Sequence, residues 1–368
     1  MKYIKKIRDY YYQLHLNAYV KAHSTQLKNI NSLKNIPKTV LIISNTALGD
    51  TLLSLSAIKS FKQSFPDTKI VFLVNQNLVP LFHNYPYIDK IIPFYGGYKK
   101  YFETINKIKK QKPEMSIIFH GNGPQDIQIS ILSGVNFILK HPTNSTLKGY
   151  LSFDFNQKHQ HTIEDRLDIL RKLNAKKIYL KPELPNINNK NIDDKIDKYI
   201  GTDNIIIGFQ VGAADIYKMW PIENFIKLAK MLIAYKKDIT IILTGIQKEY
   251  ALAERISSIF NNNIINSCGK FSIEELPYLI KKMDLLVTND TGTMHLAIAL
   301  DTPTISLFAT TNSDISGPHP SLLEKHSIIQ KNGLEVQSLP KKQRTNELMK
   351  LISVKEVFSK IKEKISHD

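Results

Sequence analysis

The sequence predicts an α/β protein built from two successive doubly wound, Rossmann-like halves. Three observations predict it. Short apolar runs alternate with stretches of helical periodicity, the pattern of βαβ units on a parallel sheet. The alternation stops at a stretch rich in Asn, Asp, Lys and Pro and then begins again. The chain has 368 residues and a 42% hydrophobic fraction, which suits two domains, each able to bury a core.

The elements follow in order. Residues 1–37 form an arm with Lys2, Lys5, Lys6, Arg8, Lys21, Lys28 and Lys34 against one acid, Asp9, and with Tyr3, Tyr10, Tyr11, Tyr12 and Tyr19. Part of it reads as an amphipathic helix. It is either an extension packed on the first domain or a basic-aromatic surface that touches anionic lipid. Residues 38–182 form the first domain. Thr39–Ser44 (TVLIIS) is a buried strand. Thr51–Phe65 has helical spacing and stops at Pro66. Ile70–Val74, Met115–Phe119 and Val135–Ile138 are further strands. Residues 183–204 are a linker with room for a short helix.

The second domain, residues 205–345, repeats the alternation. Strands are expected at Ile205–Phe209, Ile239–Leu243, Leu285–Thr288 and Thr304–Phe308. Helices are expected at Ile222–Tyr235, Glu249–Ile259, Ile273–Met283 and Thr293–Leu300. Residues 346–368 close the chain with an amphipathic helix near Val354–Ile365. No short internal repeat appears. In such folds ligands bind at the C-terminal ends of the strands, here in loops that would face a central cleft.

Composition narrows the function. Lys+Arg number 50 against 33 Asp+Glu, a formal charge of +17. A field of that sign suits an anionic partner: nucleic acid, a phosphorylated small molecule or a membrane surface. The excess is mostly Lys and spread along the chain, without the clustered Arg and interleaved aromatics of a nucleic-acid binder. The single cysteine, Cys268, excludes an intrachain disulfide and a cysteine-based zinc site. No apolar run is long enough to span a membrane, and the N-terminus lacks the apolar core of a secretory signal. A cytoplasmic protein is expected.

Three strand-to-helix loops carry candidate chemistry. In Ser44-Asn45-Thr46-Ala47-Leu48-Gly49-Asp50, Gly49 allows a tight turn and Asp50 falls at the start of a helix. Asp50 is either a helix cap or a general base at the mouth of a cleft. In Gly212-Ala213-Ala214-Asp215-Ile216-Tyr217-Lys218-Met219-Trp220-Pro221, small residues expose backbone N–H groups and Lys218 adds charge before a helix. That is a phosphate cradle, or else a solvated lysine beside a packing tryptophan. In Asp290-Thr291-Gly292-Thr293-Met294-His295-Leu296-Ala297, Asp290 or Thr291 can cap the helix and Gly292 admits a ligand to the amides. This is another anion site, to which His295 either donates or contributes only structure. No acidic pair follows a strand and the histidines lack ligand spacing, so no metal is indicated.

At these motifs the sequence resembles the lipopolysaccharide heptosyltransferases of glycosyltransferase family 9. The match comprises Leu48-Gly49-Asp50 before a long helix, Pro66-Asp67 before the second strand, and Lys218-Met219-Trp220-Pro221. It continues with Gly245 and Glu249, then Asn289-Asp290-Thr291-Gly292-Thr293-Met294-His295-Leu296-Ala297-Ile298-Ala299, then Pro303. It runs from about Pro37 to Pro318. The resemblance implies a GT-B fold whose closing helix packs back on the first domain. It implies inverting, metal-independent transfer of heptose from the nucleotide sugar ADP-heptose to a lipid A–core oligosaccharide acceptor at the inner membrane, without a separate cofactor. It makes Asp50 the base, supported by Gly49. It gives the diphosphate to Lys218, Gly212, Ala213, Thr291, Gly292 and His295, the ribose hydroxyls to Glu249, and counts Gly245 and Asp290 among the donor-binding residues. A member using another nucleotide sugar or glycan is the alternative, and a nucleic-acid binder a distant one. Ser44, Ser56 and Phe308-Ala309-Thr310-Thr311 depart from the family pattern.

Overall fold

The computed structural model describes residues 2–22, 27–121, 123–141, 147–155, 160–184, 187–201, 204–260, 263–331, 339–340 and 343–365. Parts of the arm, the linker and the end of the closing segment lie outside the described residues. The chain divides into two compact units, one of Met1–His159 with Ile163–Tyr179, the other of Gln160–Thr162 with Leu180–Asp368.

The first unit holds β1 (Thr39–Ser44), β2 (Lys69–Asn75), β3 (Lys90–Phe94), β4 (Met115–His120) and β5 (Phe137–Lys140). They form one sheet in the order β3-β2-β1-β4-β5, with every pairing parallel. The apolar runs are buried because both faces of such a sheet are covered. Val40–Ile43 and Ile70–Val74 are 0% exposed. The covering helices are α1 (Lys2–Ala22), α2 (Leu48–Leu53), α3 (Leu55–Ser64), α4 (Tyr101–Lys109), α5 (Gln125–Leu132) and α6 (Thr162–Lys172). The arm's helix, α1, joins this core through Leu16, with Tyr12, Tyr19 and Val20 packed against it.

The expected helix 51–65 begins earlier and is broken. Ser54 stands between α2 and α3, and its hydroxyl donates to the Asp50 carbonyl at 3.1 Å and to Ser44 Oγ at 3.0 Å. Hydroxyl groups bonded to the preceding turn compete with the helix ladder. The fourth expected strand lies two residues further on, at Phe137–Lys140.

The second unit holds β6 (Ile205–Gln210), β7 (Ile239–Thr244), β8 (Ile264–Asn266), β9 (Leu285–Asn289), β10 (Thr304–Phe308) and β11 (His326–Gln330), again all parallel, in the order β11-β10-β9-β6-β7-β8. Its helices are α7 (Lys190–Ile200), α8 (Ile222–Tyr235), α9 (Tyr250–Ser257), α10 (Leu276–Lys281), α11 (Gly292–Ala299), α12 (Ser313–Ser316) and α13 (Val354–Ile365). The stretch read as a linker carries α7. Asn189 caps it, Ile196 and Ile200 are buried, and Lys282 pairs with Asp197 at 2.7 Å.

The closing helix α13 joins the core of the second unit. Val357 and Ile361 are 0% exposed inside the second unit's core, packed with α8. Ile226 and Ile233 of α8 pack against the same core, and Tyr235 meets Phe358 edge-on at 5.7 Å.

Candidate active site

In the first unit, Asp50 lies on the first turn of α2, just past the end of β1. It is not the cap residue; Ala47 is, and no side chain caps the helix. Thr46 Oγ1 donates to Asp50 Oδ2 at 3.3 Å. The same hydroxyl lies 2.6 Å from His120 Nδ1, and His120 Nε2 is 3.6 Å from Asp50 Oδ1. Asp50, Thr46 and His120 therefore form one half-buried polar cluster. Gly49, inside α2, is half-buried beside Asp50.

Two more groups shape this cluster. Arg166 on α6 is 2% exposed, and its Nη1 donates to the Asp50 carbonyl at 2.8 Å. Burial pushes its guanidinium down to about 10, with the Asp50 and Asp165 carboxylates pulling the other way. Burial also holds the His120 imidazole below its ordinary value. The Asp50 carboxylate opposes that, and the Arg166 and Lys140 charges add to it. Behind His120, Asp126 and Lys140 form a buried pair at 2.5 Å. A Cβ at Gly121 would lie 2.8 Å from Asp126 Cβ, so the chain leaves β4 through a glycine.

In the second unit, four loops converge at the C-terminal ends of β6, β7, β9 and β10. Asn289, 0% exposed, is the hub. Its Nδ2 donates to the carbonyls of Gln210 and Val211 at 3.1 and 3.2 Å, and to that of Gly212 at 3.4 Å. Its Oδ1 accepts the Trp220 amide at 2.9 Å. Trp220, 1% exposed, donates its indole N–H to the Ile352 carbonyl at 3.0 Å. Lys218 is thereby held between two fixed points. Its ammonium meets Asp290 Oδ2 at 2.5 Å, and Thr311 Oγ1 donates to the same oxygen at 2.8 Å. The departure at Phe308–Thr311 thus has a structural counterpart, because Thr310 also donates to the Tyr217 carbonyl.

Glu249 ends the turn before α9 and accepts the Ile246 amide at 2.9 Å. Its carboxylate fills the space where a side chain at Gly212 or Gly245 would go: a Cβ on either would fall within contact of it. A side chain at either position would push the carboxylate from this seat. Cys268 Sγ lies 2.9 Å from the same Gly245 position, and burial pushes its thiol up to about 12. Cys268 is packing and not a nucleophile.

Thr291 precedes α11 in an extended conformation and makes no capping bond. The first amides of α11, from Gly292 on, are left for another acceptor. His295 is 6% exposed on that first turn. Ala213 is half-buried in the loop beside Gly212. All the expected second-unit residues are therefore gathered at one sheet edge. Sequence reasoning missed Thr46, His120, Arg166, Asn289 as a hub, and Thr311. Among the described residues no group of His, Cys, Asp or Glu could hold a metal ion.

A family model of glycosyltransferase family 9 (heptosyltransferase) matches residues 150–351. A lipopolysaccharide heptosyltransferase 1 of Campylobacter coli is 27% identical over 293 residues, covering 74% of this chain and 84% of that protein. A family 9 glycosyl transferase from Veillonella parvula superposes with a TM-score of 0.77 at 18% identity, over 92% of this chain and 100% of its own. An Escherichia coli heptosyltransferase with ADP-2-deoxy-2-fluoro heptose superposes with a TM-score of 0.66 at 18% identity, over 88% of this chain and 99% of its own. The two parallel sheets and their helices thus share the fold of the GT-B heptosyltransferases.

Proposed function

The chain belongs to glycosyltransferase family 9, the heptosyltransferases, and from that premise we propose that it moves a heptose from ADP-heptose to the inner core of lipopolysaccharide. The observation that carries the reading is the convergence of Lys218, Glu249 and the start of α11 at one sheet edge, although 72 positions separate Lys218 from its partner Asp290. A nucleoside diphosphate sugar needs a cation, free amides and a carboxylate for ribose hydroxyls in one place.

The acceptor hydroxyl oxygen attacks the anomeric carbon from the face opposite the diphosphate, so configuration inverts. The bond from that carbon to the diphosphate breaks, and its electron pair leaves with ADP. Asp50 takes the proton from the acceptor oxygen. The leaving diphosphate gains negative charge as the bond breaks. Lys218, the amides at Gly212 and Ala213, and the N-terminus of α11 with Thr291, Gly292 and His295 stabilise it. Asp290 holds Lys218 in position until the diphosphate arrives. Glu249, seated against Gly212 and Gly245, receives the ribose hydroxyls. The reading calls for no metal, since the cation and the helix end supply the positive charge. It calls for no cofactor beyond the donor.

The acceptor is a lipid-linked glycan, so the reaction takes place at the anionic inner-membrane surface. Among the described residues no helix is long and apolar enough to cross a membrane, and the attachment proposed is peripheral. The test is an assay with ADP-heptose and soluble truncated core acceptors, following ADP release and sugar transfer. Turnover is expected. Turnover with a different nucleotide sugar only would move the reading to a sibling activity, and none with any nucleotide sugar would overturn it.

A further inference from the structure

Helix α1 has two faces, and packing accounts for only one. On the inner face Tyr12 stacks on Tyr98 with ring centroids 3.7 Å apart and meets Tyr101 edge-on at 4.9 Å, and Leu16 is 0% exposed. On the outer face stand Ile7, Tyr10, Tyr11 and Leu14, exposed by 64%, 65%, 56% and 47%. Their spacing of three, four and seven residues puts them in one stripe along the helix. A soluble helix does not usually present such a stripe to water.

The neighbouring element supplies the charge. Helix α4 lies against α1 through Tyr101, through Phe102 beside His15 at 4.8 Å, and through Lys109 over the Tyr19 ring at 5.0 Å. Phe102 is itself 38% exposed. In and around α4, Lys99, Lys100, Lys107, Lys109, Lys110 and Lys112 are all exposed, against one acid in that segment, Glu103, already paired with Lys107 at 2.6 Å. An apolar-tyrosine stripe thus adjoins a row of lysines on the same unit. Tyrosine rings settle at headgroup depth, leucine and isoleucine reach the acyl boundary, and lysines meet anionic headgroups.

We propose that the outer face of α1, together with the lysines around α4, is a docking surface for an anionic phospholipid bilayer. The occupant follows from charge complementarity: the stripe alone would suit any apolar partner, and the lysine row selects one that is flat and negative. The proposal rests on the membrane-presented acceptor of the function proposed above.

Co-sedimentation with vesicles tests it, using phosphatidylcholine alone and phosphatidylcholine mixed with phosphatidylglycerol. The full chain should bind the anionic vesicles, and bind less as salt rises. A Tyr10→Ser/Tyr11→Ser/Leu14→Ser variant and a Lys99→Glu/Lys100→Glu/Lys110→Glu variant should each lose roughly tenfold or more in partitioning. Both should keep the wild-type melting temperature and the wild-type rate on a soluble acceptor. Equal anionic-vesicle binding by both variants, or none by the wild type, overturns the surface. So does a dimer in light scattering that the stripe variant dissociates while vesicles stay unbound, since the occupant would then be a second copy. Vesicle binding lost in the variants with no transfer in any form leaves the surface standing and removes the proposed reaction instead.

Discussion

The loop after β1 and the loop after β6 leave the first strand of their respective units, yet their side chains are held very differently. The contacts of the Asp50 carboxylate itself are long, 3.3 Å from Thr46 and 3.6 Å to His120. Around Lys218 they are short and cross-linked: 2.5 Å to Asp290, 2.8 Å from Thr311 to Asp290, and 2.9 Å from Trp220 to Asn289. The contrast matches the proposed tasks. A base must take up and release a proton, so its carboxylate stays half-buried and lightly held. A diphosphate cradle gains most from dipoles and charges fixed before the ligand arrives.

The largest expected effect falls on the loosely held side. Asp50→Asn should slow transfer by about 10²–10⁴-fold while calorimetry finds ADP affinity little changed. A variant within a few-fold of wild type would show the proton going elsewhere. On the rigid side, Lys218→Met should weaken ADP binding by about 10–100-fold. It also strips Asp290, whose side chain is 9% exposed, of its cation, at a cost of about 1–3 kcal/mol in stability. Lys218→Met/Asp290→Asn should recover the melting temperature and not the affinity. If affinity returns as well, the lysine is a structural partner only.

Gly212→Ala probes the rigidity directly. The new methyl would displace the Glu249 carboxylate, costing about 1–3 kcal/mol and part of the ADP affinity. Adding Glu249→Ala should restore the melting temperature. A melting temperature unchanged by Gly212→Ala alone would show the loop to be more yielding than its contacts suggest.

The smallest expected effect is one of pH on the second unit. His326 on β11 is 1% exposed, with Nδ1 3.2 Å from Thr304 Oγ1, and burial pushes its imidazole down to about 4. Its folded value lies below the unfolded one, so its contribution is fully present above about pH 6.5 and declines as pH falls toward 4. Melting curves at pH 7 and 5.5 should differ by about 1 kcal/mol from this group, and His326→Gln should narrow that gap. An unchanged gap would assign the acid sensitivity to other groups, His120 first.

Legibility in the sequence followed burial. The central strands β1, β2, β4, β6, β7, β9 and β10 read as apolar runs because both their faces are covered. The strands not anticipated, β3, β8 and β11, are all sheet edges. Their burial is partial, and β3 contains Pro93, which an edge tolerates and a central strand does not. The site divides the same way. Lys218, Glu249, Asp290 and Gly292 sit in motifs that name them. His120 merely ends a strand, and Arg166 lies in TIEDRLDILRK, whose charges disguise a buried guanidinium. Asn289 looked like a motif letter, and only its carbonyl partners from β6 and the following loop make it a hub.

The bond from the Trp220 indole to the Ile352 carbonyl spans 132 positions, so the two ends of this fastening leave the ribosome far apart in time. A ribosome delivers Lys218, Glu249 and Asp290 well before Ile352 and the buried residues of α13. Until those arrive, a nascent chain carries the side chains proposed to meet the donor, with Trp220 fastened through its amide to Asn289 but not through its indole. On the proposed function, a chain cut before Ile352 would carry Lys218, Glu249 and Asp290 but no carbonyl for the Trp220 indole, and its hold on a nucleotide sugar should be weaker.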